Sequence, residues 1–142
     1  MRYWLPPIVW AAVIFTASTD LFSAAHTGSV LEAIITAILG HPLSREHFDL
    51  LHFLIRKSAH LTEYGILGAL LFRAVRGDRS GFSARWAIVA IVIALCVASG
   101  DEWHQAFVPS RTPSPVDVAI DTVGAALAQG LIRAAQMLFF KA

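Results

Sequence analysis

Lys57-Ser-Ala-His-Leu-Thr-Glu-Tyr64 is a polar octet in a chain that otherwise reads as membrane helix, and it restricts the available folds more than any other stretch. Lys57, His60 and Glu63 stand where lipid would be. An ionised group at the bilayer centre costs about 2.5–3.5 kcal/mol on insertion scales, so three on one helix demand compensating partners. On a helix turning about 100° per residue, Lys57, His60, Glu63 and Tyr64 share an arc of about 120°. His52 and Arg56 lie on or near that arc if the helix extends upstream, and Leu61 falls outside it. The stripe must face other helices or water.

The rest of the chain fits a membrane setting. Of 142 residues, 56% are hydrophobic and 15% charged, against about 25% charged in ordinary soluble domains. The length suits a single domain, residues 1–142. A net charge of +1 without a basic face argues against nucleic acid as a partner. The one cysteine, Cys96, forms no internal disulfide and reads as a small buried hydrophobe. The first apolar run follows Arg2, shows no small-residue cleavage site and precedes three more apolar segments, so it reads as a retained helix.

In chain order, the first segment runs from Trp4 to Ala17, with Pro6 and Pro7 at its start, where missing N–H groups matter least. Tyr3, Trp4 and Trp10 suit an interfacial belt, and Thr16 to Asp20 mark the exit. Ser29-Val-Leu-Glu32 resembles a capping box opening an amphipathic helix that Gly40-His41-Pro42 ends. That helix is expected to lie on the membrane surface or dip into it. A new start at Ser44 leads into the octet. The second span begins between Arg45 and Lys57 and stops at Arg73. The third covers Trp86 to Ala98 and ends in Ser99-Gly-Asp-Glu-Trp-His-Gln105. The fourth covers Val118 to Phe140, with Ser114 as N-cap, Pro115 first and Asp117 completing a capping box.

The fold class is therefore all-α: a membrane bundle of four transmembrane helices with an interfacial amphipathic helix between the first two. The short loop after the second span carries Arg73, Arg76, Arg79 and Arg85 against Asp78 alone, which makes it cytoplasmic by the positive-inside rule. Arg2, Arg133 and Lys141 fall on the same side, so both termini are expected in the cytoplasm. The octet, Asp101 to Gln105, Arg111, Asp117 and Asp121 then converge at the extracytoplasmic face.

The segments Arg56-Lys57-Ser-Ala-His60-Leu-Thr-Glu63-Tyr64-Gly-Ile-Leu-Gly68 and Asp101-Glu102-Trp-His-Gln105, with the loop through Arg111-Thr and the run Asp117-Val-Ala-Ile-Asp121-Thr-Val-Gly124, resemble the VanZ-like family of bacterial membrane proteins. The likeness covers roughly residues 53 to 130, and only loosely the first 50. Asp121 stands where that family often has asparagine. The resemblance implies a cell-envelope role and a link to glycopeptide resistance, the family taking its name from a teicoplanin resistance protein; it supplies no reaction.

Each polar residue has a chemical reading and a plainer one. His60 with Glu63 suits proton transfer or a metal, or else interhelical hydrogen bonding. Lys57 either binds a phosphate or snorkels to headgroups, and Arg56 reads as snorkelling. Arg111, in a Pro-rich loop, presents a planar fork suited to phosphate or carboxylate. Glu102 and Gln105 face inward together, with Asp101 at the helix end. Asp117 doubles as a helix-start acid. Asp121 is expected to face the bundle, since Gly124 and Ala128 on its face allow close approach. His26, His41 and His47 read as structural or surface residues. His60, Glu63, Glu102, Asp117 and Asp121 together could offer a nitrogen and oxygen ligand set for a divalent metal, with His60, Glu63 and Glu102 the leading candidates.

Two functions compete. In one, the polar pocket binds an anionic amphiphile or lipid-linked precursor, with Lys57, Tyr64, Asp101, Gln105, Arg111 and Asp117 around the ligand. In the other, His60, Glu63, Glu102 and Asp121 form an acid–base or metal-assisted site acting on a phosphate- or acyl-bearing lipid, with Arg111 stabilising developing charge. A proton-coupled carrier is a third possibility, disfavoured by four spans without a visible inverted repeat.

Overall fold

The computed structural model describes residues 2–19 and 23–139. Asp20, Phe140 and Lys141, used above to mark segment ends or charge, lie outside the described residues. Within them the chain forms five helices and no strand: α1 (Leu5–Ala17), α2 (Ala24–Leu39), α3 (Arg45–Arg76), α4 (Ala84–Gln105) and α5 (Pro115–Phe139).

The helix boundaries follow local chemistry, with some departures from expectation. Pro6 and Pro7 sit at the opening of α1 as anticipated. The expected capping box at Ser29 is absent. Ser23 caps α2 instead, its hydroxyl accepting from the His26 backbone N–H, while Ser29 is already helical and donates back to the His26 carbonyl at 2.9 Å. Gly40 ends α2 in the left-handed conformation at φ 76°, a shape that glycine adopts without strain. The polar run 99–105 does not terminate the third segment but continues it, because α4 extends to Gln105 and buries Asp101, Glu102 and Gln105, while Ser99, Trp103 and His104 stay exposed.

Two of the four expected spans, α4 and α5, are long and apolar enough to cross a bilayer. The 13 residues of α1 reach only about 20 Å, short of a hydrocarbon core of about 30 Å. The 32 residues of α3 extend about 48 Å and carry the charged octet in their middle.

Helices α3, α4 and α5 make the core, with α1 laid against it. Tyr64, Leu67, Leu71 and Phe72 of α3 meet an alanine stripe on α4, Ala87, Ala90, Ala94 and Ala98. Small residues at this spacing bring helix backbones close. The tightest approach is between α3 and α5, which run parallel: a Cβ added at Gly124 would stand 2.3 Å from the Leu61 carbonyl oxygen, and one at Gly68 would stand 2.8 Å from Ala125 Cα. Leu61, expected outside the polar stripe, thus gives its backbone to this contact.

The exterior is greasy, while carboxylates are buried beside the apolar core, an arrangement unlike a soluble bundle. Leu131 is 72% exposed and Ile88 60%, while Asp101 is 1% and Asp121 0%. Cys96, expected in the core, lies on the outer face of α4.

One end of the bundle gathers arginines. Asp78 in the α3–α4 loop bonds Tyr3 and Arg2, whose Nη2 is 2.8 Å away, and the Arg73 guanidinium stacks 4.0 Å over the Tyr3 ring. The Tyr3 hydroxyl, and after it Arg2, hold the Asp78 carboxyl below the usual carboxylate range. Arg79 covers Trp86 and Arg133 covers Phe82. Trp10, read as interfacial, instead packs on the core and donates its indole N–H to the Glu63 carbonyl at 2.9 Å.

Candidate functional site

At the opposite end from the arginines, the polar residues of α1, α3, α4 and α5 interlock. Because α3 and α5 are parallel, advancing one turn on each makes a second rung: Lys57 Nζ pairs with Asp117 Oδ1, and His60 Nδ1 lies 3.3 Å from Asp121 Oδ1. Asp121 therefore faces the bundle, as its sequence neighbours implied. The Gly124–Leu61 contact just beyond brings the two backbones together, so the ion-pair rungs and the close crossing share one interface.

Helix α4 supplies the other wall. Asp101 Oδ2 accepts from Ser18 Oγ at 2.6 Å and from Gln105 Nε2 at 3.0 Å, joining the end of α1 to α4. Glu102 Oε2 accepts from the Ser114 backbone N–H at 2.6 Å. This replaces the expected capping box: the acid that serves the start of α5 comes from α4, twelve residues back, and Asp117 is left to pair with Lys57. Arg111 Nη2 donates to the carbonyls of Ala17 at 2.7 Å and Thr19 at 3.1 Å, closing the C-terminal end of α1. Tyr64 is fully buried, and its hydroxyl has no hydrogen-bond partner among the described residues.

The sequence-derived residues thus split into two environments. The 120° stripe on α3 is too wide to face one neighbour. Its Lys57 edge meets α5. Its Glu63 edge, with Arg56 and His52, faces a cavity of about 540 Å³ bounded by α1, α2, α3 and Arg111. His60 stands between and touches both. Apolar side chains of α2 and α3, among them Val30, Ile34 and Ile55, form the remaining wall. Arg56, expected to snorkel, is half-buried and lines this cavity, whereas Lys57 is engaged by Asp117.

Two cavity residues lie outside the expected site, His26, read above as structural or surface, and Thr27. His26 lines the cavity from the first turn of α2, and Thr27 does so while bonding His52 Nε2 at 3.1 Å. The available signal was Thr-Gly at positions 27 and 28, a small pair that lets the His52 ring approach to 3.5 Å of where a Gly28 Cβ would stand. It becomes legible only once α2 and α3 are known to pack.

The metal reading finds no geometric support. Among the described residues no group of three or more His, Cys, Asp or Glu side chains is arranged to hold an ion. His60 turns to Asp121, Glu63 to the cavity and Glu102 to Ser114, so these candidates diverge.

An apolar exterior, buried ion pairs, a cavity at one end and two helices long and apolar enough to span a bilayer place the described residues in the class of all-helical bundles with candidate membrane spans. Within that class the chain belongs to the VanZ/LLP1 family, whose model matches residues 3–139. The match takes in α1 and α2, well beyond the 53–130 region in which the sequence motifs lie. No curated protein and no solved structure matches the chain.

Proposed function

We propose that this is a multi-pass protein of the bacterial cytoplasmic membrane, in which α1, α3, α4 and α5 span, α2 lies at the outer interface, and both termini are cytoplasmic. Its cavity binds an anionic amphiphile or lipid-linked envelope precursor, and in doing so lowers the access of teicoplanin-type glycopeptides to their target. The observation that carries this reading is the cavity itself. Its volume of about 540 Å³ falls in the range of small-ligand sites, and it sets an apolar wall beside Arg56 and Arg111. The arginines at the opposite end of the bundle support the orientation, since basic residues are retained on the cytoplasmic side.

A second reading rests on the His60–Asp121 pair. A buried carboxylate 3.3 Å from Nδ1 favours the protonated imidazole by charge, which would let His60 exchange a proton. Since His60 lines the cavity, this pair can act on a bound phosphate- or acyl-bearing lipid.

The test is native mass spectrometry of detergent-purified protein with phosphatidylglycerol, beside teicoplanin susceptibility of cells expressing it. Wild type is expected to retain lipid and raise resistance. Arg56→Gln is expected to weaken retention about tenfold, the value of one charge-assisted contact. Absence of both lipid retention and resistance in wild type sinks the binding reading. Release of phosphate, acyl chain or headgroup, abolished by His60→Ala, would favour the enzyme.

A further inference from the structure

Glu63 is at odds with a purely anionic ligand. It lines the same cavity as Arg56 and Arg111, and its carboxylate makes no hydrogen bond or ion pair with any described residue. A carboxylate facing a cavity that takes only anions would repel its ligand, since like charges brought together oppose binding. We infer that the cavity is built for a glycerophospholipid whose headgroup carries a primary ammonium beside its phosphate, the phosphate lying on Arg56, next to an Arg111 already engaged by the end of α1, and the ammonium on Glu63. This rests on the lipid-binding reading above and replaces its anionic headgroup with a zwitterionic one.

The placement follows from helix geometry. Arg56 and Glu63 are seven residues apart on α3, two turns and about 10 Å along one stripe. That exceeds the three- or four-residue spacing at which helix charges pair directly. One headgroup with a charge at each end can contact both. Arg111 lies at the level of Arg56: α1 runs antiparallel to α3, Trp10 bonds the Glu63 carbonyl, and Ala17, seven residues beyond Trp10, accepts from Arg111. Two guanidinium groups therefore stand at one level and one carboxylate two turns deeper.

The other titratable groups on the cavity are already engaged. His52 is bonded to Thr27, His26 to Ser23, and His60 is paired with Asp121. Arg56 makes no hydrogen bond or ion pair among the described residues, so it and Glu63 are the charges left for a ligand. The apolar side chains of α2 and α3 favour an acylated molecule over a soluble phosphate ester. A primary ammonium offers three N–H donors to a carboxylate, which a trimethylated headgroup lacks.

Detergent-purified full-length protein would be titrated with dilauroyl phosphatidylethanolamine, dilauroyl phosphatidylglycerol and glycerophosphoethanolamine, with the bound fraction read by native mass spectrometry. Wild type is expected to prefer the ethanolamine lipid over the glycerol lipid about tenfold and to hold the chain-free ester far more weakly. Glu63→Gln should abolish that preference while keeping the glycerol lipid bound. Equal binding of both lipids in wild type overturns the inference and leaves lipid binding standing, as does a preference that survives Glu63→Gln. Equal binding of the chain-free ester overturns the assignment to a lipid, and no binding of any probe overturns the wider reading as well.

Discussion

Glycine positions separate packing from propensity at the scale of single residues. Gly124 and Gly130 both lie in α5, yet a Cβ at Gly124 meets the Leu61 carbonyl oxygen at 2.3 Å, and one at Gly130 meets nothing within 4 Å. The obstacle at Gly124 is backbone, which cannot swing aside, and the shift needed would also part the Lys57–Asp117 and His60–Asp121 rungs. Gly124→Ala is expected to destabilise by about 3 kcal/mol, at the upper end for overpacking. Gly130→Ala should be neutral or stabilise by up to about 1 kcal/mol through helix propensity. Thermal unfolding of the two variants in detergent measures the difference; equal midpoints would refute the close α3–α5 crossing. The sequence pointed at Gly124 through its spacing from Asp121. It had no means of assigning Asp117, because two local partners, the Ser114 N–H and the helix end, competed with a lysine sixty residues earlier.

Among the elements, α2 is the least anchored. Its described ties to α3 are the Thr27–His52 hydrogen bond and the seat of Gly28 on the His52 ring, whereas Val30, Ile34 and Ile38 are exposed. Few buried contacts mean a low local opening energy. His52→Ala is expected to leave the α3–α4–α5 core intact and to speed hydrogen exchange across α2 by about tenfold, loss of one hydrogen bond plus packing being worth about 1–2 kcal/mol. Exchange mass spectrometry resolves the two regions; a matching rise in α4 would show instead that α2 folds as one unit with the core. The existence of α2 was legible from its helical periodicity, but its start was not. Ser23 and Ser29 are both acceptable caps by sequence, and the choice of Ser23 depends on how the chain leaves α1.

At the scale of the whole molecule, the segregation of charge underlies the proposed orientation. The arginine loop 77–83 and the loop 106–114 lie at opposite ends of the bundle. Ser80→Cys and Thr112→Cys, each in a Cys96→Ser background, are therefore expected to differ in whole cells: an impermeant maleimide should label position 112 at once and position 80 only after permeabilisation. Labelling of position 80 from outside would reverse the proposed topology. What the sequence determined by itself was the all-helical class, the polar stripe and its need for partners, because helical periodicity and the expense of charge in lipid are local rules. Tertiary structure decided which edge of that stripe each neighbour takes. The stripe subtends about 120°, more than one packed helix can cover. With α5 against one edge, Lys57 and His60 meet Asp117 and Asp121. The other edge, with Arg56 and Glu63, is left open to a cavity whose remaining walls come from α1, α2 and the loop bearing Arg111, distant in the chain and joined only by folding.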